Sequence, residues 1–400
     1  MLKTTQICSS ILYNSIFSTL KSNEVESLSD KSSQLKVLST SLKSYGGVLA
    51  KISQMLSLDN HNDDVFANHI SPRQQETIEY FRSYIKTLKE DSPENVNYNV
   101  NNSGTIGQIH KARINNKDVI FKVQYVGIMN DINNDLQILN FIVNYLYNFA
   151  NLGNSVKEVK EKILDELDYD LELSNQNAVY DIFEKTSNII IPKTFAEISN
   201  DKVLCMEYIH SIGLIDFISN GTKQDKNNIG RLMIEFIFSL LYKENMFYSD
   251  THYGNFLVKF DSETSESKLV VVDFGCIHNI NPDLVRDLKC LHKSISDNNK
   301  ELFYKIVSKL NIISDTISEE SKRYIYDYFR TQYEPFYTRN FKFSNEWLDK
   351  CSSKETKLMK EWFLPDNMIY FHKIPYGLYH ILTKLELECD FVDFFDNILN

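Results

Sequence analysis

Tyr248-Ser249-Asp250-Thr251-His252-Tyr253-Gly254-Asn255-Phe256-Leu257-Val258 holds an aspartate and an asparagine five positions apart (255 − 250 = 5). Asp250 can orient or deprotonate an attacking hydroxyl, while the amide oxygen of Asn255 binds a magnesium ion. Eighteen residues beyond Asn255 (273 − 255 = 18) the apolar run Val270-Val271-Val272 ends in Asp273-Phe274-Gly275. The interval leaves room for a hairpin. A carboxylate at the end of such a strand is the expected second magnesium ligand.

Upstream, Asn102-Ser103-Gly104-Thr105-Ile106-Gly107-Gln108 lies between β-prone runs. Small residues there let backbone N–H groups approach phosphate oxygens, although a plain hairpin turn is the ordinary alternative. Lys122 sits in Val119-Ile120-Phe121-Lys122-Val123-Gln124, where an ammonium needs either solvent on an edge strand or a negative partner. Loop, strand lysine, Asp/Asn pair and Asp-Phe-Gly, in that order, form the series by which protein kinases hold Mg-ATP.

Four further segments make the chain resemble the UbiB/ADCK family of atypical kinases, from about residue 35 onward. Lys51-Ile52-Ser53-Gln54 resembles the family's Lys-x-Gly-Gln, with Ser53 in place of glycine. Ile106-Gly107-Gln108-Ile109-His110 is similar to its Ile-Gly-Gln-Val-His. Lys122-Val123-Gln124-Tyr125 matches Lys-x-Gln-Tyr, with Val126 where the family has proline. Glu166-Leu167-Asp168-Tyr169-Asp170-Leu171-Glu172 resembles Glu-x-Asp-Tyr-x-x-Glu.

The resemblance implies a two-lobed, protein-kinase-like α+β fold with an N-terminal helical extension and a mainly helical C-lobe. It implies that the Lys51 helix covers the cleft where a peptide substrate would lie. Lys51 and Gln54 would then face Glu166 and Asp168, and Glu172 would be the helix partner of Lys122. An acidic solvated helix face is the alternative for Glu166, Asp168 and Glu172. The nucleotide would contact Ser103, Gly104, Thr105, Ile106, Gly107 and Gln108. By position, Met206 and Glu207 border the adenine, with the Glu207–Tyr208 backbone as hinge, or form an ordinary strand-to-helix passage. The family's alanine-rich loop is here Asn102-Ser103-Gly104, a freer backbone that bears on nucleotide preference.

The order along the chain is a helical leader (1–92), a sheet-rich region with inserted helices (93–209) and a larger helical region (210–400). Strands are expected at Val96–Val100, Ile106–Ile114, Val119–Tyr125, Ile189–Ile191 and Val203–Ile209, with turns at Asn101–Gly104 and Asn115-Asn116. After Gly221 the pattern is helical, interrupted near Phe256–Lys259 and Leu269–Val272. A chain of 400 residues with 42 % hydrophobic content buries a real core. A net charge of -11 without Lys/Arg clusters argues against nucleic acid as a partner. Six scattered cysteines fit reduced thiols inside a cell rather than a disulfide framework or zinc site. The apolar runs Phe141–Ala150 and Leu232–Tyr242 fall short of the roughly 18 residues that span a bilayer. The first 23 residues lack acids, but the first arginine is Arg73, which favours an amphipathic helix over a targeting segment. The expected setting is cytoplasmic, with mitochondrial or membrane-peripheral placement as alternatives.

The functional expectation is an ATP- and Mg2+-dependent ATPase or phosphotransferase acting on a small or lipid-like molecule. The resemblance links it to isoprenoid quinone metabolism. The alternatives are a nucleotide-binding scaffold of pseudokinase type and a conventional Ser/Thr protein kinase, which the Lys51 helix disfavours.

Overall fold

The computed structural model describes residues 73–88, 93–99, 102–103, 106–146, 163–186, 188–260, 266–313, 317–361 and 377–399. These divide into two compact units. The first takes the described residues up to Asn177 together with Lys193–Tyr208, the second Ala178–Pro192 and the residues from Ile209 onward. Of the expected leader, only 73–88 is described.

In the first unit, β1 (Asn102–Ser103), β2 (Gly107–Ile114), β3 (Lys117–Gln124) and β5 (Val203–Glu207) form an antiparallel sheet in the order β1-β2-β3-β5. Asn115 and Asn116 close the β2–β3 hairpin with φ of 49° and 64°, the left-handed pair that matches strand twist. Alternation then gives the sheet two different faces. Ala112, Ile114, Val119, Phe121 and Val123 bury one face against Phe81 and Ile85 of α1 (Gln74–Ile85). Lys122 stands on the other, level with Ile109 on β2 and Leu204 on β5.

The expected strand at Val96–Val100 is absent from 96–99. Asn95 takes a left-handed φ of 52°, and the Asn97 side chain accepts the Asn99 N–H at 2.9 Å. Such local turns compete with ladder formation, so the first paired strand begins only at Asn102. After β3, Gly127 turns the chain with φ +77° into α2 (Ile128–Leu146), where a Cβ would stand 2.4 Å from the Arg73 guanidinium. Arg73 grips Asp131 with two hydrogen bonds of 2.8 and 2.9 Å. A helical turn at 163–166 precedes α3 (Tyr169–Phe183), within which the division between the units falls.

The second unit is built around α5 (Lys223–Glu244), which follows β6 (Ile212–Gly213) and α4 (Leu214–Asn220). Almost every residue from Leu232 to Tyr242 is buried, as a core helix apolar on all sides requires. Thr222 caps the start of α5 by accepting the Asp225 N–H, and Asn245 ends it in the left-handed region at φ 55°. Around α5 lie β7 (Met246–Tyr248), β8 (Phe256–Phe260), β9 (Ser267–Val271) and β10 (Ile277–Asn279). The expected hairpin between Asn255 and Asp273 is the antiparallel β8–β9 pair. The strand β4 (Ile189–Ile190), grouped from the sequence with region 93–209, instead pairs in parallel with β9 in the second unit.

Helices α6 (Pro282–Ser296), α7 (Lys300–Lys309), α8 (Glu319–Gln332), α9 (Glu334–Tyr337) and α10 (Asn345–Glu361) complete most of this unit. Residues 377–384 form α11, and α12 (Val392–Leu399) closes the described chain. Between these helices, β11 (Phe341–Lys342) pairs with β12 (Glu388–Cys389). No helix among the described residues is long and apolar enough to cross a membrane.

Candidate functional site

Lys122 Nζ donates to Glu172 Oε1 at 2.5 Å, with side chains only 14 % and 4 % exposed. The strand places the lysine on the face that carries Leu204 and Met206, and α3 brings Glu172 over it beside Tyr169. A buried carboxylate of this kind requires a cationic partner, and the pair holds an ammonium at a fixed place on the sheet. Gln124 anchors the next same-face position, donating to the Leu167 carbonyl at 2.6 Å and to the Asp201 carbonyl at 3.1 Å.

The loop residues divide. Gly104 and Thr105 lie outside the described residues, as do the side chain of Ser103 and the whole of Lys51 and Gln54. Gly107 belongs to β2, where a Cβ would meet the Val123 carbonyl oxygen at 2.6 Å and the Tyr169 hydroxyl at 3.2 Å. Its φ is not positive, so close packing, rather than a left-handed turn, excludes a side chain there. Gln108 is not brought to the Lys122 face. Its side chain is buried on the opposite one, where Nε2 lies 2.9 Å from His110 Nε2. Strand alternation dictates this, so the side chain expected at the nucleotide is spent in the core.

At β5, Met206 is fully buried beside Tyr169 and Leu204. The Glu207 N–H donates to the Lys193 carbonyl at 2.8 Å and the Tyr208 N–H to the Asp118 carbonyl at 2.9 Å. Both backbone donors of the expected hinge pair are thus engaged by backbone carbonyls. Asp168 begins α3 by accepting the Leu171 N–H at 2.9 Å, an N-cap that the sequence reading missed, although Asp before a helical run is its usual signal. Glu166 lies in the helical turn at 163–166.

In the second unit, Asn255 Nδ2 donates to Asp250 twice, at 2.8 Å to the carboxylate and at 3.1 Å to the carbonyl. The Asn255 carbonyl accepts the Val272 N–H at 3.1 Å, because β8 and β9 are paired as far as Phe256 and Val271. Beyond Asp273, the Cys276 carbonyl accepts both the N–H and the hydroxyl of Ser249, at 3.0 and 3.1 Å. The Asp-Phe-Gly segment is therefore tied on one side to Asn255 and on the other to the residue before Asp250. Phe274 is fully buried in the core, and Asp273 Oδ1 accepts the Gly275 N–H at 3.2 Å.

Tyr248 is a residue that the sequence reading quoted without giving it a role. It is buried against Phe236 and Phe256, with ring centroids 5.3 and 5.9 Å away. Burial pushes its hydroxyl well above the usual phenol range, and the charges of Asp250 and Asp273 push in the same direction. The phenol stays neutral in the middle of the acidic cluster. His252 accepts the Gly254 N–H on Nδ1 at 3.1 Å and so shapes the turn into Asn255.

The donor chemistry fits magnesium. Because Nδ2 of Asn255 is committed to Asp250, its Oδ1 is the atom left to ligate, and Asp273 adds a hard carboxylate. Among the described residues no group of three His, Cys, Asp or Glu side chains could hold a metal by itself.

A family model for the ABC1 atypical kinase-like domain matches residues 72–307. The mitochondrial atypical kinase COQ8 of Schizosaccharomyces pombe is 24 % identical over 304 residues, which cover 70 % of this chain and 48 % of that protein. The protein named "Probable protein kinase UbiB" of Blochmanniella pennsylvanica is 26 % identical over 190 residues, covering 45 % of this chain and 34 % of that protein. This chain thus spans about half, or less, of the length of these curated relatives. The solved structure of Rv3197 from Mycobacterium tuberculosis, a complex with erythromycin, has a TM-score of 0.63 at 20 % identity. The match covers 92 % of this chain and 96 % of that one, a likeness of fold. With a helix-covered sheet in its first unit, a mainly helical second unit and a family match across more than half its length, the chain has a kinase-like α+β fold and belongs to the ABC1 family of atypical kinases, the UbiB/ADCK group.

Proposed function

We propose that this chain binds ATP with magnesium and transfers the terminal phosphoryl group to water or to a small or lipid-like acceptor. The observation that carries the reading is that Asn255 bonds to Asp250 by its side chain and accepts the N–H of Val272, the residue before Asp273, by its carbonyl. Lys122, fixed by Glu172, supplies the ammonium for phosphate oxygens. Asn255 and Asp273 would hold the magnesium, which when bound supplies positive charge to those oxygens. Asp250, with its carboxylate steadied by Asn255, accepts the proton of the attacking hydroxyl. The family resemblance links such an activity to isoprenoid quinone metabolism.

The test is phosphate release and nucleotide binding by the wild type, Lys122→Met, Asp250→Asn and Asp273→Asn. Asp250→Asn is expected to keep Mg-ATP binding and lose roughly 10²–10⁴-fold in turnover. Asp273→Asn is expected to lose the magnesium dependence of nucleotide binding. Phosphate release at the wild-type rate in all three variants would rule the proposal out.

A further inference from the structure

The second unit places a helix from far along the sequence directly against the loop that carries Asp250. Gly377 opens the described part of α11, and a Cβ built on it would lie 2.1 Å from Thr251 Oγ1, 3.3 Å from Thr251 Cβ and 3.5 Å from the Thr251 carbonyl oxygen. Real Cβ atoms do not approach another atom to 2.1 Å. With any side chain at 377, Thr251 or the helix would have to shift from this arrangement. Thr251 follows Asp250 immediately in the chain, so whatever fixes its backbone fixes the peptide from which the Asp250 side chain springs.

The helix is itself anchored, and this makes the contact a brace rather than a touch. Leu378, Ile381, Leu382 and Leu385 are buried in the main core. Tyr379 Oη donates to the Gln332 carbonyl at 2.6 Å, and its ring packs on Trp347 with centroids 4.9 Å apart. Past the helix, Leu387 lies against Gly230 of α5, where a Cβ would stand 3.0 Å from its methyl carbons, and its carbonyl accepts the Phe343 N–H at 2.9 Å. The helix has little room to yield to a larger residue at its first described position. Packed interiors transmit such a displacement to their neighbours, and the neighbour at this point is the loop.

We infer that Gly377 is a positioning residue for the Asp250 loop, and that α11 sets the carboxylate by bracing Thr251. The inference rests on the proposed ATP turnover. A methyl at 377 shifts Thr251 and misdirects Asp250, while Lys122, Glu172 and the strand residues of the first unit keep their own contacts. The signature is therefore a fall in kcat with KM for ATP held, since misplacement by about 1 Å can cost about a hundredfold in rate.

The experiment measures kcat and KM for ATP hydrolysis in wild type, Gly377→Ala, Thr251→Ala and the double variant, with thermal melts of each. Gly377→Ala is expected to lower kcat by about tenfold to a hundredfold, with KM changed less than about twofold. In the Thr251→Ala background the 2.1 Å clash is gone and only contacts of 3.3 and 3.5 Å remain. There the same Gly377→Ala change is expected to cost less than about threefold. An equal loss in both backgrounds, a loss in KM alone, or wild-type kcat in an active Gly377→Ala enzyme would overturn the inference. If Gly377→Ala alone does not fold, failure of the double variant to recover both folding and turnover overturns it as well. A wild-type chain that neither binds Mg-ATP nor releases phosphate from it would instead sink the functional reading itself.

Discussion

Asp168 shows how one side chain can satisfy a motif and a local need together. It caps α3 through the Leu171 N–H, and α3 carries Glu172 to Lys122 one turn later. Asparagine caps a helix about as well as aspartate, whereas alanine does not, and loss of a cap costs about 0.5–2 kcal/mol. Asp168→Ala is therefore expected to lower stability in denaturant unfolding by about 1 kcal/mol, and Asp168→Asn to leave it near wild type. If Asp168→Asn nevertheless loses ATP turnover, the charge has a second task of the kind the Lys51 motif implies. At this scale the sequence singled out Asp250, Asn255, Asp273 and Lys122 by their ordered series, and the structure pairs Asp250 with Asn255 and Lys122 with Glu172. What spacing could not show was which face of a strand a side chain takes. Gln108 fell to the core by that parity, and Asp168 was read for its charge rather than for its place before a helix.

Elements were legible where a full period had room to repeat. Strands β2 and β3 announce themselves by alternation over eight residues each and by the Asn115-Asn116 turn. The paired strands β7 and β10 are three residues long, and β11 and β12 only two. Such segments hold no pattern that a sequence could reveal, since their pairing is decided by the core they edge. The parallel partner of β4 was hidden for the same reason. Within β2, Gly107 touches the Val123 carbonyl so closely that Gly107→Ala is expected to force the β2–β3 hairpin apart. A cost of about 1–3 kcal/mol, as for other overpacked sites, should appear as a lowered denaturation midpoint. Nucleotide binding should weaken with it, because Lys122 lies two residues from Gln124, the partner of Gly107 on β3. Binding and stability both unchanged would count against this account.

On the scale of the whole molecule, His292 reports how the larger core answers to pH. It is buried between Tyr333, Phe395 and Phe336, with ring centroids 4.7, 4.8 and 5.4 Å away, and burial lowers its pKa to about 3. The unfolded chain takes up a proton near pH 6.5 that the folded chain refuses. The stabilisation is therefore complete above that value and is lost as pH falls from 6.5 toward 3, by about 1.4 kcal/mol per unit. Between pH 7 and 5 the wild type is expected to lose about 2 kcal/mol more than His292→Phe in urea unfolding, after the shared carboxylate terms cancel. Parallel pH profiles for the two proteins would exclude His292 as the sensor. That the chain would form a kinase-like α+β fold was legible, since the order of motifs fixes the order of sheet and helices. The braces between distant segments, Gly377 on Thr251 and Leu387 on Gly230, were not. They join residues more than a hundred positions apart and leave no local trace.

The two ties on Asp-Phe-Gly have a consequence for inhibition. An outward swing of Asp273 that carried Val272 and Cys276 with it would strip the Val272 N–H of its acceptor and the Cys276 carbonyl of its Ser249 donors. At about 1–3 kcal/mol for each stranded group, the outward form is held to a few per cent of molecules or fewer. A compound that recognises only that form would find about a thirtieth of the protein or less as its usable target, and its apparent affinity would be weakened by the same factor.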